Sequence, residues 1–207
     1  MEFPHLGLYV VASLALIATP GQDMIYVITR SLAQGRRAGI ASAVGVCLGI
    51  LVHTALAALG VGALLAANEA LFIAVKIAGV IYLAWLGLRM LLVPQVAAPR
   101  AIADSSSSVA SVLGQGILSN VTNPKILVFF VAFLPQFVDP SSPHPTRDLA
   151  ALGVLYAAMA LPIKAGVAIA ASSLAGPLRG SRARAALDRA CGSVMLLLAA
   201  RLALQER

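Results

Sequence analysis

Six apolar runs, each long enough to cross a bilayer and separated by short polar breaks, take up nearly all of a 207-residue chain. A hydrocarbon core of roughly 30 Å takes about 20 apolar residues per helix, so the pattern predicts a polytopic, all-α membrane protein with six transmembrane helices. Composition agrees. Hydrophobic residues make up 60% of the chain and charged residues 11%, and the mean hydropathy is +0.92, values that exclude an ordinary water-soluble globular domain.

The expected spans run from Leu6 to Arg30, Gly39 to Ala66, Leu71 to Leu92, Ser111 to Phe137, Asp148 to Ser173 and Leu187 to Leu204. Arg36-Arg37 and Asn68-Glu69 mark polar joints, and a looser stretch rich in Pro, Ala and Ser divides the chain almost in half. This gives a first three-helix unit over 1–92, a linker over 93–110 and a second three-helix unit over 111–207. The first twenty residues carry Glu2 and His5 where a secretory signal needs positive charge, so they are read as a retained helix.

A net charge of +7 raises the question of nucleic acid, but the arginines lie between apolar spans and not on a solvated domain. They bear instead on orientation. Arg30, Arg36, Arg37, Arg89, Arg100, Arg179, Arg182, Arg184 and Arg189 all fall on one side of the predicted membrane, against Arg147 and Arg207 on the other. Positive loops stay in the cytoplasm, so both termini are expected on the periplasmic side of a bacterial inner membrane. Cys47 and Cys191 have no metal or redox spacing and are read as packing residues. No metal or other cofactor is expected.

Two prolines interrupt matching spans. Ala18-Thr19-Pro20-Gly21 in the first is echoed by Val121-Thr122-Asn123-Pro124 in the fourth, at equivalent depth. With three spans per half, the second unit is inserted upside down relative to the first, which predicts two inverted repeats whose first and fourth helices are broken. Proline removes a backbone hydrogen bond, and in hydrocarbon the freed groups are tolerated only against protein or a water-filled cavity. Thr19 is the expected cap of a half-helix beginning at Pro20, and Thr122 or Asn123 the cap of one beginning at Pro124. Such ends attract anions. Gln115, Ser119, Thr122 and Lys125 form a polar stripe expected to face the interior. The plainer alternative is that both prolines only kink packed helices.

Asp23, on a face read as shared with Thr19, Gln22 and Tyr26, costs about 2.5 to 3.5 kcal/mol on insertion scales if ionised at mid-membrane, so it needs a partner or a role. It suits a substrate ammonium, or else acts as a helix-end carboxylate stabilised by the dipole or by Lys125. His53, in the second span, suits proton exchange or a neutral hydrogen-bonded role. Lys76 and Lys164 also lie in apolar runs. Lys76 is near enough to an end to snorkel, whereas Pro162 beside Lys164 is expected to break the fifth helix. Gly45 and Gly49 form a GxxxG pair suited to close packing, within the chain or between subunits of a homodimer.

Three blocks of residues resemble the lysine-exporter (LysE) superfamily, in particular its branch exporting homoserine, threonine and related amino acids. They are Thr19-Pro20-Gly21-Gln22-Asp23 with the Arg36 loop and Gly39; Lys76-Ile77-Ala78-Gly79-Val80-Ile81-Tyr82-Leu83 with Leu86-Gly87; and Asn123-Pro124-Lys125 leading to Phe129-Phe130 and Phe133-Leu134-Pro135-Gln136-Phe137. The resemblance implies a proton-driven amino-acid exporter and not an enzyme, with Asp23, Lys76 and Lys125 on motif positions. Gln22 stands where many relatives have a second proline. The expected substrate site comprises Thr19, Pro20, Gly21, Gln22, Asp23, Tyr26, Asn123, Pro124 and Lys125, with the carboxylate between Gly21 and Lys125 and the ammonium at Asp23. His53, Lys76 and Lys164 are assigned to proton coupling or buried polar roles. The alternative is export of another small solute or a metal cation on the same fold.

Overall fold

The computed structural model describes residues 5–19, 21–61, 69–92, 108–139 and 142–173, with positions 193, 196, 197 and 200. All regular structure among these residues is helical. Helix α1 spans Leu6–Ala18, α2 Gln22–Leu56, α3 Glu69–Leu92, α4 Val109–Val121, α5 Pro124–Val128 and α6 Pro145–Ser173. A π turn, Ala57–Val61, extends α2; a second π turn, Phe129–Phe133, and a 3-10 turn, Leu134–Phe137, extend α5. The expected sixth span lies outside the described residues apart from its four helical positions, as do Pro20 and most of the linker.

The apolar stretch Gln22–Gly60 runs for 39 residues. As a straight helix it would measure about 58 Å, twice the hydrocarbon thickness. Gly35 resolves this with φ 79° and ψ −177°, a conformation open essentially to glycine alone. The two arms, 22–34 and 36–56, lie side by side: a Cβ on Gly39 would stand 2.5 Å from Ser31 Oγ. The expected joint at Arg36-Arg37 is therefore helical, and the turn is made one residue earlier. Gly35→Ala should destabilise the fold by about 2 kcal/mol through backbone strain alone, since a Cβ there meets nothing within 4 Å. Thermal unfolding in detergent checks this; an unchanged midpoint would contradict it.

The first and fourth predicted spans are each broken as expected. α1 ends at Ala18 and α2 begins at Gln22. α4 and the segment Pro124–Phe137 meet at a bend of 53°. α4 starts at Val109, two residues ahead of the sequence boundary, because the Ser108 hydroxyl accepts the Ser111 amide at 3.2 Å and closes the first turn. The expected break at Pro162 does not occur: α6 is continuous across it. Pro162 is on an exposed face, and the loss of one backbone bond leaves the flanking turns to hold the helix.

Both arms of α2 pack against α4 and α6, and α3 packs on the π turn Phe129–Phe133. Small residues set the approach. A Cβ on Gly116 would stand 3.0 Å from the Ser42 carbonyl, and one on Gly45 would overlap the Leu113 carbonyl. The Gly45–Gly49 pair thus serves packing within the chain. An aromatic cluster fills the space between α1, the α5 segment and α6: Tyr9 meets Phe137 at 5.2 Å, and Phe129 meets Phe133 at 5.0 Å and Tyr156 at 5.1 Å. The Tyr9 hydroxyl donates to the Leu152 carbonyl at 2.6 Å, so its burial leaves no donor unpaired.

Candidate functional site

Two broken helices bring four helix ends together, and each end meets a side chain of suitable charge or hydrogen-bonding type. α1 ends with carbonyls that have no intrahelical partner, as any helix does. The Lys125 ammonium takes two of them, donating to Leu16 O at 3.2 Å and Thr19 O at 3.3 Å, where the negative end of the dipole favours a cation. Gly21 makes this approach feasible, since a Cβ there would stand 3.1 Å from Lys125 Nζ. At the opposite lip of the break, α2 begins with Gly21 as its cap and Asp23 in its first turn, where the positive end of the dipole favours a carboxylate.

Thr19 is not the cap of the second half-helix. It closes α1 instead, with its hydroxyl donating to the Ala15 carbonyl at 2.7 Å, because a threonine following a helix reaches back to the carbonyl four residues earlier. On the fourth span the cap is Asn123, whose Oδ1 accepts the Lys125 amide at 3.0 Å, with Pro124 at the first helical position. Thr122 is exposed and bonds back to Leu118 O at 2.8 Å.

Asp23 is 4% exposed. Its Oδ2 accepts a 2.7 Å hydrogen bond from Asn120 Nδ2 and stands 4.0 Å from the Lys164 ammonium on α6. Lys164 is thus a cation beside Asp23, while the Lys125 contacts described above go to the end of α1. Asn120, fully buried, extends the network: its carbonyl oxygen lies 3.1 Å from His53 Nε2. A carbonyl only accepts, so Nε2 carries the proton and donates. Asp23 Oδ1, Asn120 Oδ1 and Asn123 Nδ2 are buried without a hydrogen-bond partner among the described residues. Each such group costs about 1 to 3 kcal/mol, which a folded protein tolerates where the group has another use.

Gln22, Asp23 and Tyr26 all bond to α4, each to a different residue of it. Gln22 Nε2 donates to the Ser119 carbonyl at 3.0 Å, and the Tyr26 hydroxyl to the Val112 carbonyl at 2.6 Å, so both fasten the first arm of α2 to α4. Arg30, counted as a loop charge from the sequence, lies within α2 and is 4% exposed, bonded to Gln115 and stacked over the Tyr26 ring at 5.7 Å. Lys76 falls within α3, but its side chain lies outside the described set. Asn120 escaped the sequence reading because the predicted stripe was turned by about one residue: the buried positions on α4 are Val112, Gly116 and Asn120. The signal available was the small residue Gly116 four positions ahead of a mid-span asparagine.

Taken together, these features define a class: a helical integral-membrane protein that holds an acid, a lysine, a histidine and two asparagines out of water where broken helices meet. More narrowly, the chain belongs to the LysE type translocator family, which it matches over residues 14–206. It is therefore a membrane transporter and not an enzyme. Over 203 residues, 98% of both chains, it is 32% identical to a protein of Salmonella typhimurium named homoserine/homoserine lactone efflux protein. It is 29% identical over 136 residues, 66% of this chain and 64% of the relative, to a leucine efflux protein of Salmonella choleraesuis. A membrane protein of Vibrio cholerae is 29% identical over 190 residues, 91% of both chains. No solved structure matches the chain.

Proposed function

We propose that this protein exports amino acids or close derivatives across the bacterial inner membrane by proton-coupled alternating access. The observation that carries this reading is the buried Asp23 at the break between α1 and α2, with one carboxylate oxygen held by Asn120 and the other without a hydrogen-bond partner among the described residues. A carboxylate in that position suits an α-ammonium group. The names of the relatives support the same substrate class.

Three positive groups stand at the break: the amide end of α2 at Gly21 and Gln22, Lys125, which also caps α1, and Lys164 beside Asp23. Pro124 opens one of these ends, as the sequence leads one to expect of Pro20 at the other, Thr19 and Asn123 close them, and Gln22 and Tyr26 hold the arm that carries Asp23. His53 shares Asn120 with Asp23, and in this scheme His53, or Asp23 itself, exchanges the coupling proton as substrate binds and leaves. Two inverted three-helix repeats, 1–92 and 111–207, rock about the site to expose it to either side, with both termini periplasmic. The expected partners are the substrate, protons and lipid.

The test is efflux of labelled amino acids from preloaded proteoliposomes, with and without an imposed proton gradient. Release of one or a few amino acids, accelerated about tenfold by the gradient, is the expected result. Release indifferent to the gradient would refute the coupling, and no release of any amino acid would refute the substrate class.

A further inference from the structure

We infer that Lys164 receives the carboxylate of the transported amino acid, so that the site selects zwitterions bearing both an α-ammonium and a free α-carboxylate. The inference rests on the amino-acid reading above and adds to it a specificity-determining residue.

Of the positive groups at the break, Lys125 is already directed at the carbonyl end of α1, with contacts at 3.2 and 3.3 Å. Moving it to a substrate would strip the cap from that helix. Lys164 is differently placed. It is 5% exposed, and its 4.0 Å separation from Asp23 is longer than a hydrogen bond, so its three N–H donors keep capacity for an anion. Buried polar atoms without hydrogen-bond partners among the described residues include the acceptors Asp23 Oδ1 and Asn120 Oδ1 in this network and the donor Asn123 Nδ2 at the second helix break. An ammonium needs the first kind and a carboxylate the second.

Charge balance points the same way. Asp23 and Lys164 together are neutral, and a zwitterion inserted between them leaves the total unchanged while alternating the signs. An ester, lactone, amide or decarboxylated amine brings an ammonium without a carboxylate. Two cations then compete for one acid in a medium of low dielectric, where that repulsion is poorly screened. Because Lys164 is on α6 and Asp23 on α2, a ligand with both charges meets both helices at once.

The experiment measures competition against labelled leucine efflux from proteoliposomes by homoserine and homoserine lactone, and by leucine, leucinamide and 3-methylbutylamine. In the native protein the carboxylate-bearing member of each set should compete at about 30-fold lower concentration than the others or better, the usual scale for losing one partner of a buried charge pair. Lys164→Met should reduce that preference to within about threefold, and Lys164→Arg should retain it. Should Lys164→Met not fold, the native competition series and the arginine variant still decide. Equal competition by lactone, amide or amine in the native protein overturns the inference while leaving amino-acid export intact. A preference that survives Lys164→Met assigns the carboxylate elsewhere. Failure of the native protein to move leucine, homoserine or any other amino acid overturns the export reading and this inference with it.

Discussion

Asp23→Asn is expected to lower amino-acid efflux by about 100-fold or more while the protein still inserts and folds. The substitution keeps the size of the side chain and an oxygen able to accept from Asn120 Nδ2, so the 2.7 Å contact that joins α2 to α4 has a replacement. It removes the carboxylate that, among the described residues, stands 4.0 Å from Lys164, and with it the acceptor proposed for the substrate ammonium. A neutral amide holds an ammonium far more weakly than a carboxylate does. The measurement is initial efflux from proteoliposomes at matched protein density, with size-exclusion profiles in detergent as the check on folding. A well-folded variant that transports at the native rate would remove Asp23 from the mechanism.

Gly45→Ala is expected to give the largest loss of stability among single methyl additions, about 3 kcal/mol or a fall of roughly 10 °C in Tm. The added carbon would overlap the Leu113 carbonyl, and the neighbouring Leu113 Cα would lie only 3.1 Å away. These are backbone atoms, which cannot rotate aside, so α2 and α4 must separate. The same seam continues to Gly49, where a Cβ would stand 2.7 Å from Asn120 Cβ, so the helix spacing also sets where Asn120 meets Asp23 and His53. Gly114→Ala is the control: a Cβ there meets nothing within 4 Å, and its midpoint should be unchanged or slightly raised. Equal midpoints for the two variants would show that the seam is not tightly packed.

The two predictions separate two roles of the same helices. Asp23 acts on transport through charge, and Gly45 acts on folding through shape. They meet at Asn120, which lies over Gly49 and holds Asp23. Loosening the seam should therefore impair transport even though no glycine touches substrate.

How much was legible in the sequence follows from the range over which each property acts. Helix length, hydropathy and the interruptions at Pro20 and Pro124 depend on residues within a turn or two of one another, so the lipid setting, the all-helical class and the two broken spans could be read directly from the chain. The Asn123 cap could be read for the same reason: it and the amide it caps are two residues apart. The partners of the buried charges could not. Lys125 and Lys164 are equally plausible neighbours of Asp23 along the chain, and only the packing of α6 against α2 placed Lys164 beside the acid and turned Lys125 to the end of α1. A rotation of about one residue in α4 likewise put Gly116 and Asn120 deepest in the interface, with Gln115 and Ser119 at its margin against α2 and Thr122 exposed. Such a rotation leaves composition and spacing unchanged. It is set by where two backbones come closest, at Gly45 and Gly116, and that contact exists only once the helices have packed.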